Sequence, residues 1–307
     1  MSEITTPSRT KLSIWLQTVR PFSFTASVTP VVVGAVLSLS FPGQVHWFLF
    51  PLIVVCSLLF HAGTNVVSEY YDFKHGVDRP HTYGSSKVLV EGLLTPREVL
   101  YGGIALFAAG FTLGLILVMY RGAPIFWLGV IGLLGGYFYT GKPVGYKYFA
   151  LGDFLVFTLM GPLMVIGSYY ALTGDYTPRV LYVSLPIGFL VAAILHANNL
   201  RDIVHDGEAN VRTVANIVGL KNARVVYFML VGAAYLSVVV MVAAGVVKPW
   251  ALIVFLSVPP AIKNLKSIIG ARLDNVGAIA MIDIQTAQHH FLFGLLLTVG
   301  IVLSAVL

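Results

Sequence analysis

Charged residues are scarce in this 307-residue chain: Asp, Glu, Lys and Arg make up 10% of it, whereas 57% of the residues are hydrophobic. A typical soluble domain has about 25% charged residues, so the composition excludes an ordinary water-soluble protein. Cysteine is almost absent, and the single Cys56 excludes an intramolecular disulfide and a thiolate metal cluster. No compact basic domain accounts for the net charge of +6, and we therefore expect no nucleic-acid partner.

Long apolar runs fill most of the chain. One bilayer crossing takes about 20 mostly apolar residues, and stretches of this kind alternate with short polar connections. We predict an all-α, polytopic membrane protein with nine transmembrane helices, formed as one domain over residues 1–307. The polar N-terminus, residues 1–11, lacks a small-residue cleavage site, so no removable signal peptide is expected. The predicted helices span residues 14–41, 47–70, 98–120, 123–140, 151–173, 180–199, 223–247, 250–270 and 285–307.

The charges divide unequally between the two membrane faces. Connections on one face hold 16 of the 19 Lys and Arg residues, which predicts that this face and the N-terminus are cytoplasmic, in a cell membrane. The same face holds 12 of the 13 carboxylates, with Asp175 as the exception. Because the positive-inside rule barely concerns Asp and Glu, the carboxylates need a separate cause. Most lie in two long polar segments, about residues 65–97 and 198–221.

The first segment carries regularly spaced ligand-type side chains. Asn65, Glu69 and Asp72 are spaced i, i+4, i+7, so they share one face if the second helix continues to Gly76. Asp78 follows directly after that glycine. Carboxylates stacked in this way repel one another unless a cation lies between them.

The second segment repeats the pattern. Asp202 and Asp206 are spaced i, i+4, and Asn198 and Asn199 lie one turn earlier. Carboxylate and amide oxygens are ligands that suit Mg²⁺, which is often held together with substrate phosphates. Two clusters on one face therefore predict two Mg²⁺ sites that clamp one polyphosphate. The nearby basic residues expected to neutralise its remaining charge are Lys142, Arg201 and Arg212.

Two other interpretations stay open at this point. Either cluster alone is also consistent with a solvated helix end, although their recurrence on helices two and six favours a metal. A cation-coupled transporter would also use carboxylates at membrane depth. Transporters of that kind place their sites near the bilayer midplane in broken helices, whereas both clusters lie at helix ends.

These motifs resemble the UbiA superfamily of intramembrane prenyltransferases. Members carry an N-x-x-x-D-x-x-x-D-like first motif and a D-x-x-x-D second motif, matched here by residues 65–78 and 202–206. The similarity is greatest to the branch that prenylates 1,4-dihydroxy-2-naphthoate in menaquinone biosynthesis. It is carried by SEYYDFKHGVD, YTGKPVGYKYFALGD and NNLRDIVHDGEANVRTVA.

The resemblance implies a nine-helix bundle around a central cavity and a Mg²⁺-dependent reaction. The donor would be an isoprenyl diphosphate, geranylgeranyl or longer, and the aromatic acceptor would be 1,4-dihydroxy-2-naphthoate. Another acceptor, 4-hydroxybenzoate or geranylgeranylglyceryl phosphate, stays an alternative within the family.

The resemblance also assigns roles to individual residues. Tyr139 and Lys142 match a YxxxK-like diphosphate element, with a spacing one residue shorter. Glu69 and Ser68 depart from the family pattern, since Asp and Asn are usual there. The implied metal ligands are Asn65, Glu69, Asp72, Asp202 and Asp206; the implied diphosphate contacts are Tyr139, Lys142, Arg201 and Arg212; the expected catalytic residues are Asp72, Lys142 and Asp202; Asp78, Asn198 and Asn199 are further candidates.

Overall fold

The computed structural model describes residues 9–307, so the part of the N-terminal expectation that concerns residues 1–8 lies outside the described residues. Within 9–307 the regular structure is helical and contains no β-strand, only two isolated bridges. The all-α prediction is confirmed. The α-helices are α1 (Lys11–Val19), α2 (Thr25–Leu37), α3 (Phe50–Lys74), α4 (Pro96–Arg121), α5 (Ala123–Tyr137), α6 (Gly152–Thr158), α7 (Met164–Thr173), α8 (Pro178–Arg201), α9 (Ile203–Glu208), α10 (Val214–Ala243), α11 (Val258–Gly270) and α12 (Ile282–Val306).

Membrane-spanning helices make up most of this bundle. Over the described part of the chain, eight helical segments are long and apolar enough to cross a bilayer, and the shorter apolar helix α5 accompanies them. The protein is therefore a multi-pass membrane protein, and the nine predicted apolar helices are all present. The eight long segments are Pro21–Ser40, Trp47–Lys74, Pro96–Arg121, Gly152–Thr173, Pro178–Arg201, Val214–Ala243, Pro249–Gly270 and Val276–Val306.

The first predicted helix, residues 14–41, is divided in two. Arg20 has a left-handed backbone (φ 54°), which ends α1, and Pro21 begins the next helical turn. A second irregularity lies between α6 and α7, where Leu159–Leu163 forms a π-helical turn that contains Pro162. Such turns accommodate a proline that cannot donate to the helical hydrogen-bond ladder.

Helix ends at the predicted motif face are fixed by local chemistry. Thr95 begins α4 with a capping box in which its hydroxyl accepts from the backbone N–H of Glu98, and the Glu98 carboxylate accepts from the Thr95 N–H. Thr213 and Asn216 form the equivalent reciprocal pair at the start of α10. These caps satisfy backbone N–H groups that a helix start leaves free.

The connections at this face pack on one another and close one end of the bundle. In the α5–α6 loop (residues 138–151), the Ala150 N–H donates to the Arg212 carbonyl at 2.7 Å. The Arg212 N–H in turn donates to the Tyr148 carbonyl at 3.2 Å. The α3–α4 loop (residues 75–95) reaches α8, because Tyr83 lies against the Arg201 guanidinium, 5.8 Å from ring centroid to Arg201 Cζ. Both predicted motif segments therefore lie at the same end of the bundle.

Candidate active site

A cavity of about 410 Å³ lies at the centre of the bundle. Its larger part is apolar and is bounded by α3, α4, α5 and α7, with lining residues such as Phe60, Leu117, Phe126 and Met164. Its other end is polar and receives side chains from the ends of α3 and α8 and from the loops that follow them. The charged side chains at that end are Arg20, Asp72, Asp78, Lys147, Asp202, Asp206 and Asp283.

Asn65 faces the cavity with a defined amide orientation. Its Nδ2 donates to the Val19 carbonyl at 2.9 Å and to Ser23 Oγ at 3.0 Å. Both amide donors are therefore occupied by acceptors of the α1–α2 junction. Oδ1 is the atom that is left to face a cation, as a metal ligand requires.

Asp72, on the last turns of α3, is held by two donors from the α5–α6 loop. Lys147 Nζ lies 2.6 Å from Asp72 Oδ2, and the Tyr148 hydroxyl donates to Asp72 Oδ1 at 2.9 Å. Burial disfavours the ammonium form, but the Asp72 carboxylate outweighs it and raises the pKa of Lys147 above its usual range. The lysine is therefore charged and placed at the cavity wall.

Asp78 enters the same space because the chain reverses after α3. Gly76 has a left-handed backbone (φ 68°), and the Val77 N–H donates back to the Asp72 carbonyl at 2.9 Å. The buried Asp78 Oδ2 has no hydrogen-bond partner within residues 9–307. Burial, with the charges of Asp72 and Glu69, raises the pKa of Asp78 to about 8. The charges of Arg20 and Lys147 act against this increase, but neither side chain donates to Oδ2.

Glu69 is placed differently from the expectation. Its Oε2 accepts from Arg20 Nη2 at 2.6 Å and from the Ser86 N–H at 3.0 Å, and the side chain is completely buried. It does not line the cavity, whereas Arg20 does. The helical spacing brings Glu69 near the other ligands, but Arg20 from the preceding chain segment binds one of its oxygens, while Oε1 has no hydrogen-bond partner within the described residues.

The second motif reaches the cavity through Asp202 and Asp206. Helix α8 ends at Arg201 and Asp202 caps it, and the Asp206 N–H donates to the Asp202 carbonyl at 2.8 Å, which keeps both side chains on one side. Burial raises the pKa of Asp206 to about 7, and the nearby charges of Asp202 and Asp72 add to this effect while Lys147 opposes it. The structure therefore brings the two predicted motifs together at one site.

Arg201 does not face the cavity, although a diphosphate contact was expected. Its Nε and Nη2 donate to the two oxygens of Asp202, at 3.0 and 2.7 Å, and its Nη1 lies 2.6 Å from Asp283 Oδ2. Only 2% of the side chain is exposed. Gly84, with a left-handed backbone (φ 81°), lies so close to this guanidinium that a Cβ there would collide with it. Arg201 therefore orients Asp202 from behind.

The remaining predicted residues separate into two groups. Tyr139 and Asn198 line the cavity, and burial raises the pKa of Tyr139 to about 12. Lys142 and Arg212 are exposed and lie outside the cavity lining. Lys147, five residues later on the same loop, lines the cavity.

Asn199 points away from the cavity. Its Nδ2 donates to Asp153 Oδ1 at 3.1 Å, and Asp153 Oδ2 lies 2.6 Å from His196 Nδ1. His196 Nε2 lies 2.9 Å from the Ala223 carbonyl. This polar cluster joins α6, α8 and α10 just behind the second motif. Asn199 therefore takes part in contacts between helices, whereas the sequence suggests it as a further candidate for the site.

Sequence reasoning missed four residues of the site: Arg20, Lys147, Tyr148 and Asp283. Arg20 directly precedes a proline at the start of a membrane span, and Lys147 lies between two tyrosines; both features are visible in the sequence. Nothing in the sequence pattern distinguishes Asp283 from a surface carboxylate at a helix start. Its role follows from the contact with Arg201, which is a long-range contact.

The charges at the polar end do not balance. Among the described residues, five carboxylates line this end, and only Arg20 and Lys147 line it as cations; Arg201 lies just behind. The ligand-type side chains at this end are mainly carboxylate and amide oxygens, and the His205 imidazole also lines the cavity. Such a set fits Mg²⁺ better than a softer metal. Two buried carboxylate oxygens near this end, Asp78 Oδ2 and Glu69 Oε1, have no hydrogen-bond partner within the described residues.

Comparison with known proteins identifies the family. Residues 27–269 match the model of the UbiA prenyltransferase family. The chain is similar to the 1,4-dihydroxy-2-naphthoate octaprenyltransferase of Bacillus subtilis, with 33% identity over 95% of this chain and 92% of that protein. It is also similar to the human UbiA prenyltransferase domain-containing protein 1, with 33% identity over 74% of this chain and 68% of that protein.

Solved structures have the same fold. A digeranylgeranylglyceryl phosphate synthase superposes with a TM-score of 0.62 at 18% identity, covering 96% of this chain and 99% of that chain. A UbiA homologue from Archaeoglobus fulgidus bound to GPP and Mg²⁺ gives a TM-score of 0.62 at 17% identity, covering 93% and 99%. The chain belongs to the UbiA prenyltransferase family, and it is a membrane-embedded prenyltransferase.

Proposed function

We propose that this protein transfers a polyprenyl group from an isoprenyl diphosphate to 1,4-dihydroxy-2-naphthoate, in a reaction that requires Mg²⁺. The observation that carries the proposal is the continuity of the cavity. A carboxylate-rich end opens into an apolar channel between membrane helices, which matches a substrate with a charged head and a long hydrocarbon tail. The similarity to the Bacillus subtilis octaprenyltransferase supports the acceptor.

The residues at the polar end fit two Mg²⁺ ions. Asn65 Oδ1, Asp72 and Asp78 would serve one, and Asp202 and Asp206 would serve the other. Mg²⁺ commonly binds one or two carboxylates and completes its coordination with water and substrate phosphates. The Archaeoglobus fulgidus structure with GPP and Mg²⁺ supports this pairing of metal and diphosphate. Glu69 is left out of the proposed ligand set because it does not line the cavity. Its Oε2 accepts from Arg20 and the Ser86 N–H, and its buried Oε1 has no hydrogen-bond partner within the described residues.

The reaction separates charge, and the site is arranged for that separation. Breakage of the allylic C–O bond leaves the electron pair on the diphosphate and a positive charge on the prenyl carbon. Bound Mg²⁺ would supply Lewis-acid stabilisation of the leaving diphosphate. Lys147 and Arg20, which line the same end, would neutralise its remaining charge in a water-poor site, where such fixed charges act most strongly.

The apolar part of the cavity would bind the prenyl tail and keep water from the cation. Tyr139 lies at the boundary between the two parts, and its ring face can stabilise a positive charge. Attack by the electron-rich ring carbon of the acceptor forms the new C–C bond. With 1,4-dihydroxy-2-naphthoate, the ring carboxylate then leaves as CO₂ and the ring electrons are restored.

We further propose that the polar end faces the cytoplasm, in a cell membrane. The segments next to it carry nearly all Lys and Arg residues, as the positive-inside rule requires of cytoplasmic connections. A water-soluble acceptor would therefore enter from the cytoplasm, while the lipid donor would enter from the bilayer.

An acceptor competition tests the proposal. Detergent-purified protein would be incubated with geranylgeranyl diphosphate, Mg²⁺ and equal concentrations of 1,4-dihydroxy-2-naphthoate, 4-hydroxybenzoate and geranylgeranylglyceryl phosphate, and the products would be identified by mass spectrometry. We expect prenylated naphthoquinol lacking the carboxylate, and no product with EDTA or with the Asp202→Asn variant. Prenylation of another acceptor alone would overturn the assignment of the naphthoate.

A further inference from the structure

Three metal-ligand side chains other than the motif carboxylates meet at the mouth of the cavity. His81 lies in the α3–α4 loop, and His205 and Glu208 lie on α9 at positions i and i+3. One ligand atom of each lies within 4.8 Å of the others. The two imidazole centroids are 5.5 Å apart.

His205 contributes a buried, unused nitrogen. Its Nδ1 has no hydrogen-bond partner within the described chain, and it lies 3.8 Å from Glu208 Oε2, beyond hydrogen-bond distance. Glu208 Oε2 is 3.1 Å from Arg79 Nη1, so a cation at this site would displace this surface ion pair. Such an exposed ion pair contributes little to stability, and Arg79 keeps a second hydrogen bond, from its Nε to the Gly76 carbonyl at 2.9 Å.

We propose that His81, His205 and Glu208 form a second cation site, selective for a borderline divalent metal such as Zn²⁺. Two imidazole nitrogens and one carboxylate are a frequent zinc ligand set, with water as the fourth ligand. Mg²⁺ prefers oxygen and would not compete for the nitrogens. Zinc–nitrogen distances are about 2.0–2.1 Å, so small side-chain rotations must bring the three ligand atoms closer together.

Occupation of this site would restrain the mouth of the cavity. His81 belongs to the same loop as Asp78 and Tyr83, which line the cavity, and His205 lies between Asp202 and Asp206 in the chain. A metal shared by the loop and α9 would tie these two walls together. We infer that it slows the exchange of substrate and product and so inhibits turnover. This consequence rests on the proposed function, whereas the site itself does not.

Zinc binding can be measured without turnover. Calorimetric titration of the full-length protein with Zn²⁺, in a large excess of Mg²⁺, should show one site. The His81→Gln and Glu208→Gln variants should each bind at least tenfold more weakly. His46→Gln is the matched control, because His46 lies in the α2–α3 connection at the far end of the bundle, and it should bind like the wild type.

The outcomes separate the two proposals. Absence of a Mg²⁺-resistant Zn²⁺ site, or equal binding by His81→Gln and the wild type, would overturn this inference and leave the prenyltransferase proposal intact. Activity measurements test the effect on turnover. Zn²⁺ should inhibit prenyl transfer by the wild type and by His46→Gln. Equal inhibition of His81→Gln should require a Zn²⁺ concentration at least tenfold higher. Equal inhibition of His81→Gln at the same Zn²⁺ concentration would place the inhibitory metal elsewhere and contradict the inferred effect.

Discussion

Lys147 Nζ lies 2.6 Å from Asp72 Oδ2, and this contact joins the first carboxylate motif to the loop between α5 and α6. The lysine is also 5.9 Å from the Tyr139 ring centroid. Lys147 therefore contacts a carboxylate of the first motif and lies near the boundary between the polar and apolar parts of the cavity. Lys142, on the same loop, is exposed.

This arrangement predicts different effects for the two lysines. Lys147→Met should lower kcat/KM for the isoprenyl diphosphate by about 100- to 1,000-fold, because a preorganised charge that stabilises the leaving group is lost. Lys142→Met should change it by less than threefold. Steady-state kinetics on both variants, with circular dichroism to verify folding, would make the comparison. A larger loss for Lys142→Met would contradict the placement of the diphosphate.

Substitution of Glu69 should lower the stability of the protein more than its affinity for Mg²⁺. Glu69→Gln removes the charge that balances the largely buried Arg20, and breaking such a pair typically costs about 3–5 kcal/mol. We expect a clearly lower unfolding temperature in detergent. Mg²⁺ affinity should fall less than threefold, whereas Asp72→Asn should lower it at least tenfold. Equal loss of Mg²⁺ binding in the two variants would show that Glu69 is a ligand after all.

Mg²⁺ affinity should increase with pH. The pKa of Asp206 is raised to about 7 and that of Asp78 to about 8. Below these values the groups hold protons that a metal must displace, so binding weakens as the pH falls from 8 to 6. Isothermal titration calorimetry at several pH values would measure how steeply the Mg²⁺ affinity changes with pH. Asp206→Asn should bind more weakly and show a shallower slope; an unchanged slope would contradict proton displacement at this residue.

The apolar channel should limit the length of the prenyl tail that the donor can carry. A Cβ added at Gly129 would meet no atom within 4 Å, and Gly129 lines the cavity, so Gly129→Phe should place its ring in the channel. We expect at least a tenfold loss of kcat/KM for geranylgeranyl diphosphate and a smaller loss for geranyl diphosphate. Gly232→Phe is the control, because Gly232 is an exposed position of α10 with equal free space. Equal losses with both donors would contradict the tail position.

The apolar helices and both carboxylate motifs could be predicted from the sequence because they follow local rules. Runs of about 20 apolar residues predict the spans, and i, i+4 spacing places Asp202 and Asp206 on one side. The same rules could not select Lys147 over Lys142. That choice depends on how the α5–α6 loop folds against α3, which no periodicity records.

Long-range pairing accounts for the other differences. Arg201 and Glu69 have the chemistry of a diphosphate contact and a metal ligand, respectively. Arg201 instead binds Asp202 and Asp283, and Glu69 binds Arg20. Asp283 and Arg20 come from distant parts of the chain, and a buried charge takes the nearest counter-charge that the fold brings to it. Spacing within one helix does not identify those partners.

Donor binding tests most directly whether the two motifs form one metal–diphosphate site. Binding of a non-reactive geranylgeranyl thiodiphosphate would be titrated with and without Mg²⁺ for the wild type, Asp72→Asn and Asp206→Asn. We predict tight binding only for the wild type with Mg²⁺, and at least tenfold weaker binding for either variant. Equal binding without Mg²⁺, or full binding by both variants, would contradict the account.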